Sequence, residues 1–282
     1  MQYSGLVDIG VNLTHARFDG DRAAVIQRAT DAGVAGMIIT GVSVDESRAA
    51  AALATQYPDL MAATAGVHPH HAQDWTPASA AALAALLDEP ANVAVGETGL
   101  DYNRDFSPRA EQRAAFEAQL RLAADHQRPV FLHQRDAEAD FLALLRDYRP
   151  VLPGAVLHCF TGDRAMIEAC RALDLHFGIT GWIGDERRGA ALREGVADIP
   201  DNRLMIETDA PFLLPAPVSR PWVKRRNEPA YLAHVLNAVA ALRDQTPAAL
   251  AALTEANSRR FFNWPSPASG PRPDAAPPAP GQ

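Results

Sequence analysis

The sequence predicts a closed (β/α)8 barrel, the TIM-barrel class, and three observations support this prediction. The chain has 282 residues, of which 48% are hydrophobic, and barrels of ~250 residues are typical single domains. Short apolar runs alternate with longer helical patterns along most of the chain, as in a parallel α/β fold. Several of these runs end in Glu, His or Asp, and a barrel gathers the carboxyl ends of its strands on one face.

The first half of the chain alternates strands and helices whose ends carry glycine or capping residues. Gly33 follows the first helical pattern, and Gly41 stops the second strand. Ser43, with Glu46 three residues later, has the spacing of a capping box. The predicted strands are Leu6–Val11, Ala35–Thr40, Leu60–Gly66 and Ala91–Glu97, and the predicted helices are Asp19–Ala32, Ser43–Gln56, Pro77–Leu87 and Arg109–His126.

The second half repeats this alternation and adds two closing helices. Pro211 has no amide hydrogen to donate, so the eighth strand must end before it. A doubly wound sheet is the alternative fold, but it needs a glycine-rich loop after its first strand, and Gly10-Val11-Asn12-Leu13 is not one. The predicted strands are Pro129–His133, Gly154–His158, Leu175–Ile179 and Leu204–Ile206, and the helices are Asp136–Arg146, Asp163–Ala172, Glu186–Gly195, Glu228–Leu242 and Thr246–Arg260.

Composition divides the chain into a barrel and a tail and limits its function. Residues 1–264 form the predicted barrel, whereas residues 265–282 are mostly Pro, Ala, Gly and Ser and predict a disordered tail. The net charge of -8 argues against a basic nucleic-acid coat protein, although it does not exclude a nuclease that uses a metal. Two cysteines, no signal peptide and no apolar run of ~20 residues predict a soluble, cytoplasmic protein that acts without a membrane.

Four side chains at predicted strand ends form a candidate metal site. Glu97, His133 and His158 end three strands, and Asp209 follows the eighth. Imidazole suits zinc or iron and carboxylate suits magnesium or manganese, so a mixed set is typical of a catalytic divalent ion. Asp209 is placed either to bind the ion or to take a proton from water. Asp8 is expected to contribute at the end of the first strand.

At these residues the chain resembles the TatD family of metal-dependent deoxyribonucleases, from about Leu6 to Phe262. The similarity lies in several ordered motifs, which are hard to obtain by chance. They are Asp8-Ile9-Gly10-Val11-Asn12-Leu13, Ala65-Gly66-Val67-His68-Pro69-His70, Val95-Gly96-Glu97-Thr98-Gly99-Leu100-Asp101, Pro129-Val130-Phe131-Leu132-His133, Leu157-His158-Cys159-Phe160-Thr161-Gly162, Ile206-Glu207-Thr208-Asp209-Ala210-Pro211 and Arg225-Arg226-Asn227-Glu228-Pro229.

The resemblance implies an amidohydrolase-like barrel that hydrolyses phosphodiester bonds, with a link to DNA repair. For members of this type it implies 3′-to-5′ exonuclease action on single-stranded DNA or RNA, usually with Mg²⁺, while Mn²⁺ or Zn²⁺ stay open. Glu97, His133 and His158 match the family's metal ligands, and Asp209 matches the aspartate after strand eight. His68 matches a residue that faces the site, and we expect it to touch substrate phosphate rather than metal.

Arg226 and Asn227 lie beside a family motif, and we expect them to contact substrate. They belong to a basic segment with Arg220, Lys224 and Arg225, in which Trp222 could stack a base. Further candidates for stacking on strand-end loops are Tyr102, Phe106, Phe160 and Trp182.

The chain departs from the family pattern at its first motif. Many relatives open with Asp-x-His-x-His, whose two histidines hold a second metal, whereas Gly10 and Asn12 stand at those positions here. We therefore expect one firm ion on Glu97, His133 and His158, and magnesium becomes more plausible than a tight zinc pair.

Three other functions stay open at this point. An abasic-site endonuclease uses a similar barrel but needs more ligands than the sequence supplies. An amidohydrolase acting on a small cyclic amide or ester often uses a bridging lysine, and no predicted strand end carries Lys. A non-catalytic binding module predicts no dependence on metal. We expect the protein to be a monomer.

Overall fold

Eight parallel strands form the centre of the protein in the computed structural model, which describes residues 3–215, 218 and 226–264. Successive strands pair in chain order from the first to the eighth, and a parallel bridge between Val11 and Ala210 joins the last strand to the first. The predicted (β/α)8 barrel is confirmed. The predicted tail at residues 265–282 lies outside the described residues.

The strands begin close to the predicted residues, but two of them continue further. The strand that holds Glu97 runs on to Asp101, because Gly96 and Gly99 adopt φ of 146° and 145° and let an irregular register carry the pairing onward. The strands are β1 (Leu6–Val11), β2 (Val34–Ile39), β3 (Met61–Ala65), β4 (Asn92–Asp101), β5 (Val130–Arg135), β6 (Ala155–Leu157), β7 (His176–Ile179) and β8 (Leu204–Ile206).

Nine helices of the described residues surround or close the barrel. The seventh helix begins later than predicted, because the Asp185 carboxylate accepts hydrogen bonds from the amides of Arg187 and Arg188 and makes a turn of that segment. The helices are α1 (Arg22–Asp31), α2 (Val44–Gln56), α3 (Pro77–Leu87), α4 (Arg109–Asp125), α5 (Glu138–Tyr148), α6 (Arg164–Ala172), α7 (Ala190–Gly195), α8 (Leu232–Leu242) and α9 (Pro247–Phe261).

Two helix starts show why the sequence pattern was informative. Ser43 accepts a hydrogen bond from the Glu46 amide at 3.2 Å, which satisfies one of the free donors at the start of α2. Thr76 and Ser79 exchange side-chain and backbone hydrogen bonds as a capping box at the start of α3. The capping residue predicted at Ser43 is thus confirmed, whereas the capping box at Thr76 was not predicted from the sequence.

Apolar side chains fill the barrel, so the polar groups of the site can lie only at its end. The interior cluster includes Ile9, Phe131 and Met205, and Phe262 and Trp264 join it from the closing segment. A second and larger cluster fills the space between the strands and the surrounding helices. No helix of the described residues is both long and apolar enough to cross a membrane.

Candidate metal centre

Glu97 is the centre of a cluster of imidazoles at the carboxyl ends of the strands. Its side chain is buried, and its Oε1 lies 2.7 Å from His158 Nε2 and 3.0 Å from His133 Nδ1. His68 Nε2 lies 3.3 Å from the same oxygen. Residues on or just after β3, β4, β5 and β6 therefore meet at one point, as the strand-end pattern predicted.

His68 belongs to this cluster, although the sequence pointed to a contact with substrate phosphate. Ligand atoms of His68, Glu97 and His133 all lie within 4.8 Å of one another, so these residues could hold a metal ion. His68 accepts a hydrogen bond from the His70 amide through Nδ1, which directs Nε2 towards Glu97. The geometry thus makes His68 a candidate metal ligand.

Asp209 reaches the same cavity from the opposite side of the barrel. It follows β8 in a left-handed conformation, with φ of 52°, and its amide donates to the Gly10 carbonyl at 2.9 Å. Asn12 Nδ2 donates to Asp209 Oδ1 at 3.0 Å. Asp209 lines a cavity of about 370 Å³ together with the candidate ligands Glu97, His133 and His158.

Burial and mutual charge set the protonation of the cluster. Burial alone would raise the pKa of Glu97, but His158, His68 and His133 together hold it well below its usual range. Burial lowers the pKa of His68 to about 4 against the pull of Glu97, so this ring is neutral and offers a lone pair. Burial raises the pKa of Asp209 to about 7; His158 opposes this rise and Glu97 adds to it.

Glu207, which the sequence left without a role, supports His158 from behind. It is fully buried, accepts a hydrogen bond from the Cys159 amide and places Oε2 3.5 Å from His158 Nδ1. A β-carbon at Gly10 would overlap Oε2, and one at Gly178 would lie 2.7 Å from Oε1. Gly10 therefore leaves the space that the Glu207 carboxylate fills.

Asp101 supports the other side of the cluster and was missed in the sequence. Its Oδ2 lies 2.7 Å from His70 Nε2 and 3.5 Å from His133 Nε2. Its Oδ1 accepts hydrogen bonds from the amides of Asn103 and Arg104. The signal was present, because Asp101 ends the family motif that contains Glu97, but β4 was predicted to end at Glu97, four residues too early.

Asp8 does not face the cavity, contrary to expectation. It is fully buried and accepts hydrogen bonds from the Thr208 amide, at 2.9 Å, and from the Thr208 hydroxyl. Burial raises the pKa of Asp8 to about 8, with the hydrogen bonds from Thr208 opposing the rise. Asp8 therefore ties β1 to the segment after β8.

Arg226 and Asn227 are also placed differently from the prediction of substrate contact. Arg226 pairs with Asp21 at 2.7 Å and with Glu228 at 2.6 Å. Asn227 is fully buried and donates to the Thr208 carbonyl at 2.9 Å. Both side chains are engaged by protein groups and brace the segment after β8. The predicted contacts Arg220, Trp222, Lys224 and Arg225 lie outside the described residues.

A second cavity of about 600 Å³ adjoins the first and shares His133, His158 and Trp182 with it. Arg135 lines both cavities, and Arg188 lines the second, with its guanidinium 4.8 Å from the centre of the Trp182 ring. Neither guanidinium forms an ion pair with another described residue. These arginines remain available for an anion.

The donor set suits a divalent cation. Three imidazoles converge on one carboxylate oxygen, and no Lys or Arg among the described residues forms an ion pair with Glu97. The other ring nitrogens, His133 Nε2 and His158 Nδ1, each lie 3.5 Å from a carboxylate, that of Asp101 or Glu207, as expected for histidines that are oriented by supporting groups. Imidazole and carboxylate are common ligands of catalytic divalent ions.

Comparison with known proteins identifies the family. The family described as TatD related DNase matches residues 7–263. The chain belongs to this family. The TatD protein of Erwinia billingiae, named 3′-5′ ssDNA/RNA exonuclease, is 51% identical over 261 residues, covering 93% of this chain and 100% of that protein. The TatD protein of Edwardsiella piscicida carries the same name and is 54% identical over 257 residues, covering 91% and 99%.

A solved structure supports the assignment of this TatD-family chain. YJJV, a TatD homologue from Escherichia coli K12, superposes with a TM-score of 0.84 at 28% sequence identity. The superposition covers 93% of this chain and 99% of that protein. The predicted resemblance to the TatD family is confirmed, and the similarity extends over the whole barrel.

Proposed function

We propose that the protein is a metal-dependent exonuclease that removes nucleotides from the 3′ end of single-stranded DNA or RNA. One observation carries the proposal: Glu97, with three imidazoles around it, and Asp209 face one open cavity at the end of the barrel. Relatives more than half identical over nearly the whole chain have this activity in their name.

Glu97, His133 and His158 would hold the cation, with His68 as a further ligand from the same cluster. When bound, a divalent cation polarises a phosphoryl oxygen and lowers the pKa of water. We propose Mg²⁺ as the native ion, because Gly10 and Asn12 stand where other relatives supply two more imidazoles. Mn²⁺ and Zn²⁺ are included in the test, because a site of imidazole and carboxylate ligands can also bind these two ions.

Asp209 is the proposed general base. Asn12 holds Oδ1, which leaves Oδ2 to accept the proton of the attacking water. The hydrogen bond from the Asp209 amide to the Gly10 carbonyl fixes the backbone behind this carboxylate. A base that is held in place in this manner needs little rearrangement to take a proton.

Arg135 and Arg188 replace Arg226 as the proposed phosphate contacts. Both line the second cavity, and neither is neutralised by a carboxylate of another described residue. That cavity also contains the carboxylates of Asp136, Glu138 and Asp163, of which Asp136 accepts a hydrogen bond from Asn103 and Asp163 caps α6. We therefore place the phosphates against the arginines.

The test is one panel of labelled nucleic acids: a single strand, its duplex and a duplex with one abasic position. Each is incubated with Mg²⁺, Mn²⁺, Zn²⁺ or a chelator. We expect stepwise shortening of the single strand from its 3′ end, and no shortening with the chelator. Cleavage only at the abasic position would instead indicate an endonuclease, and equal digestion without metal would contradict the metal site.

We further propose that the protein acts in the cytoplasm as a monomer. Both cysteines, Cys159 and Cys170, are free thiols, as expected in a reducing compartment. All candidate ligands come from one chain, so a single copy contains the site. Sedimentation at working concentration tests the second point, and a dimer would contradict it.

A further inference from the structure

Two phenylalanines at the cavity end of the barrel are exposed to solvent. Phe106 is 60% exposed and Phe212 is 45% exposed. The other large hydrophobic residues of the described chain that are exposed to this extent are Val151 and Leu242. Both aromatic exceptions lie on loops that follow strands, so their exposure is a feature of the functional face.

Each phenylalanine packs edge-on against a histidine that lines the first cavity. The ring centroids of Phe106 and His70 are 4.7 Å apart, and those of Phe212 and His15 are 5.5 Å apart. His70, His15 and Phe212 line the cavity. An edge-to-face contact orients a ring and occupies at most one of its faces, so at least one face is left for a further partner.

Strand order places these two aromatic pairs on opposite sides of the cavity. Phe106 follows β4, whereas Phe212 follows β8, four positions away in a ring of eight strands. Their supporting histidines follow the neighbouring strands β3 and β1. Glu97 and Asp209 come from the same two sides, so the candidate metal centre lies between the pairs.

Other aromatic residues near the site are already engaged. Phe160 is buried against Phe177, and Tyr102 donates a hydrogen bond to Asp140. Among the described residues, the ring contacts of Phe106 and Phe212 are those with His70 and His15, and both rings stay exposed, which separates them from the aromatic residues that serve packing.

We propose that Phe106 and Phe212, supported by His70 and His15, are two stacking platforms that bind the unpaired bases at the end of the substrate strand. This proposal rests on the proposed function. It explains how the site would select single strands over duplexes. Every base has a face that can stack on an aromatic ring, so such platforms tolerate any sequence. The bases of a duplex are already paired and stacked, and they are not free to enter.

The experiment replaces each platform and, separately, removes the bases from the substrate. Phe106→Leu, Phe212→Leu and the corresponding Trp variants are made in an Asp209→Asn background with Mg²⁺, and binding of a labelled decamer is measured by anisotropy. A second decamer carries abasic sugars at its three 3′-terminal positions. Leu242→Ala, which alters an exposed apolar residue at the end of α8, is the matched control.

We expect each Leu variant to weaken binding of the normal decamer by about 5- to 150-fold, the range of one base–aromatic stack. The Trp variants should restore binding, because they restore a ring. The abasic decamer should bind weakly to all variants alike, and Leu242→Ala should bind as the parent does. If the rings only stabilised the fold, the loss of affinity in the Leu variants would be the same for the normal and the abasic decamer.

Two outcomes overturn the inference: Leu variants that bind the normal decamer as the parent does, or equal losses on both decamers. If the proposed function itself is wrong, the wild-type protein will not shorten a single strand in the presence of metal, and this is measured in the separate panel of labelled nucleic acids. The binding measurement is decisive in either case, because it does not require turnover.

Discussion

The two sides of the candidate metal centre are built differently. On the side of β3 to β6, Glu97, His68 and His158 are buried and His133 is partly exposed, and Asp101 and Glu207 support the rings from behind. On the side of β8 and β1, Asp209 is held by Asn12 and by two backbone hydrogen bonds, with Gly10 and Phe212, and remains partly exposed. The difference indicates a division of labour, in which the first side holds the ion and the second takes the proton.

Glu97→Gln should have the largest effect. It removes the charge that three imidazoles share, so both the ion and the geometry of the rings are lost. We expect kcat on a single strand to fall by at least about 10⁴-fold, together with the bound metal. The rate and the metal content are measured on the same sample, the metal content by elemental analysis. A folded variant that keeps its metal would contradict the role of Glu97 in holding the ion.

Asp209→Asn should separate the two sides. Loss of a general base costs about 10²- to 10⁴-fold in kcat, while the ion should stay on the opposite side. The measurement is turnover at saturating metal beside metal content. Near wild-type turnover would remove Asp209 from the chemistry, and loss of the ion would make it chiefly a ligand.

Asp101→Asn tests the support behind the imidazoles. A residue that orients metal-binding histidines typically contributes 10- to 100-fold to metal affinity, and we expect a loss of about that size. A titration with Mn²⁺ followed by electron paramagnetic resonance measures it. Asp45→Asn, which changes an exposed aspartate paired with Arg48, is the control, and equal affinities in the two variants would exclude a supporting role.

Gly10→Ala tests the space that Glu207 fills. The new β-carbon would overlap the Glu207 carboxylate and approach Phe131 at 3.1 Å. Crowding of this kind typically costs about 1–3 kcal/mol in the free energy of unfolding. Urea denaturation measures the loss, and Gly20→Ala, with nothing within 4 Å of its β-carbon, is the matched control. An unchanged unfolding midpoint for Gly10→Ala would mean that the carboxylate moves freely.

Arg135→Ala should have the smallest effect and act on binding alone. Loss of one phosphate contact weakens binding of all sequences alike and makes log Kd depend on log salt less steeply by about 0.7 for a single strand. The binding slope is measured between low and moderate salt. Arg146→Ala, which removes an exposed arginine of α5 outside both cavities, should leave the slope unchanged.

Much of the fold could be predicted, because local signals agree with the global architecture. Apolar runs located all eight strands, and cap residues such as Ser43 located helix starts. The end of β4 could not be predicted, because glycine usually indicates the end of a strand. Here Gly96 and Gly99 instead allow an irregular strand to remain paired with β5 as far as Asp101. For that reason Asp101 was not assigned to the candidate site from the sequence.

The candidate site was predictable in position but not in detail. Strand ends meet on one face, so Glu97, His133, His158 and Asp209 could be brought together from the sequence alone. Spacing does not give distances, however, and the place of His68 beside Glu97 depends on the turn after β3. Arg226 could not be judged, because its partner Asp21 lies at the other end of the chain.

The most direct test of the account is a crystal soaked in Mn²⁺ and measured at the manganese absorption edge. We predict an anomalous peak within bonding distance of Glu97, His133 and His158, on the side of the cavity opposite the Phe212 loop. A peak at a different place, or none at a concentration that supports turnover, would contradict the claim that these side chains share one ion.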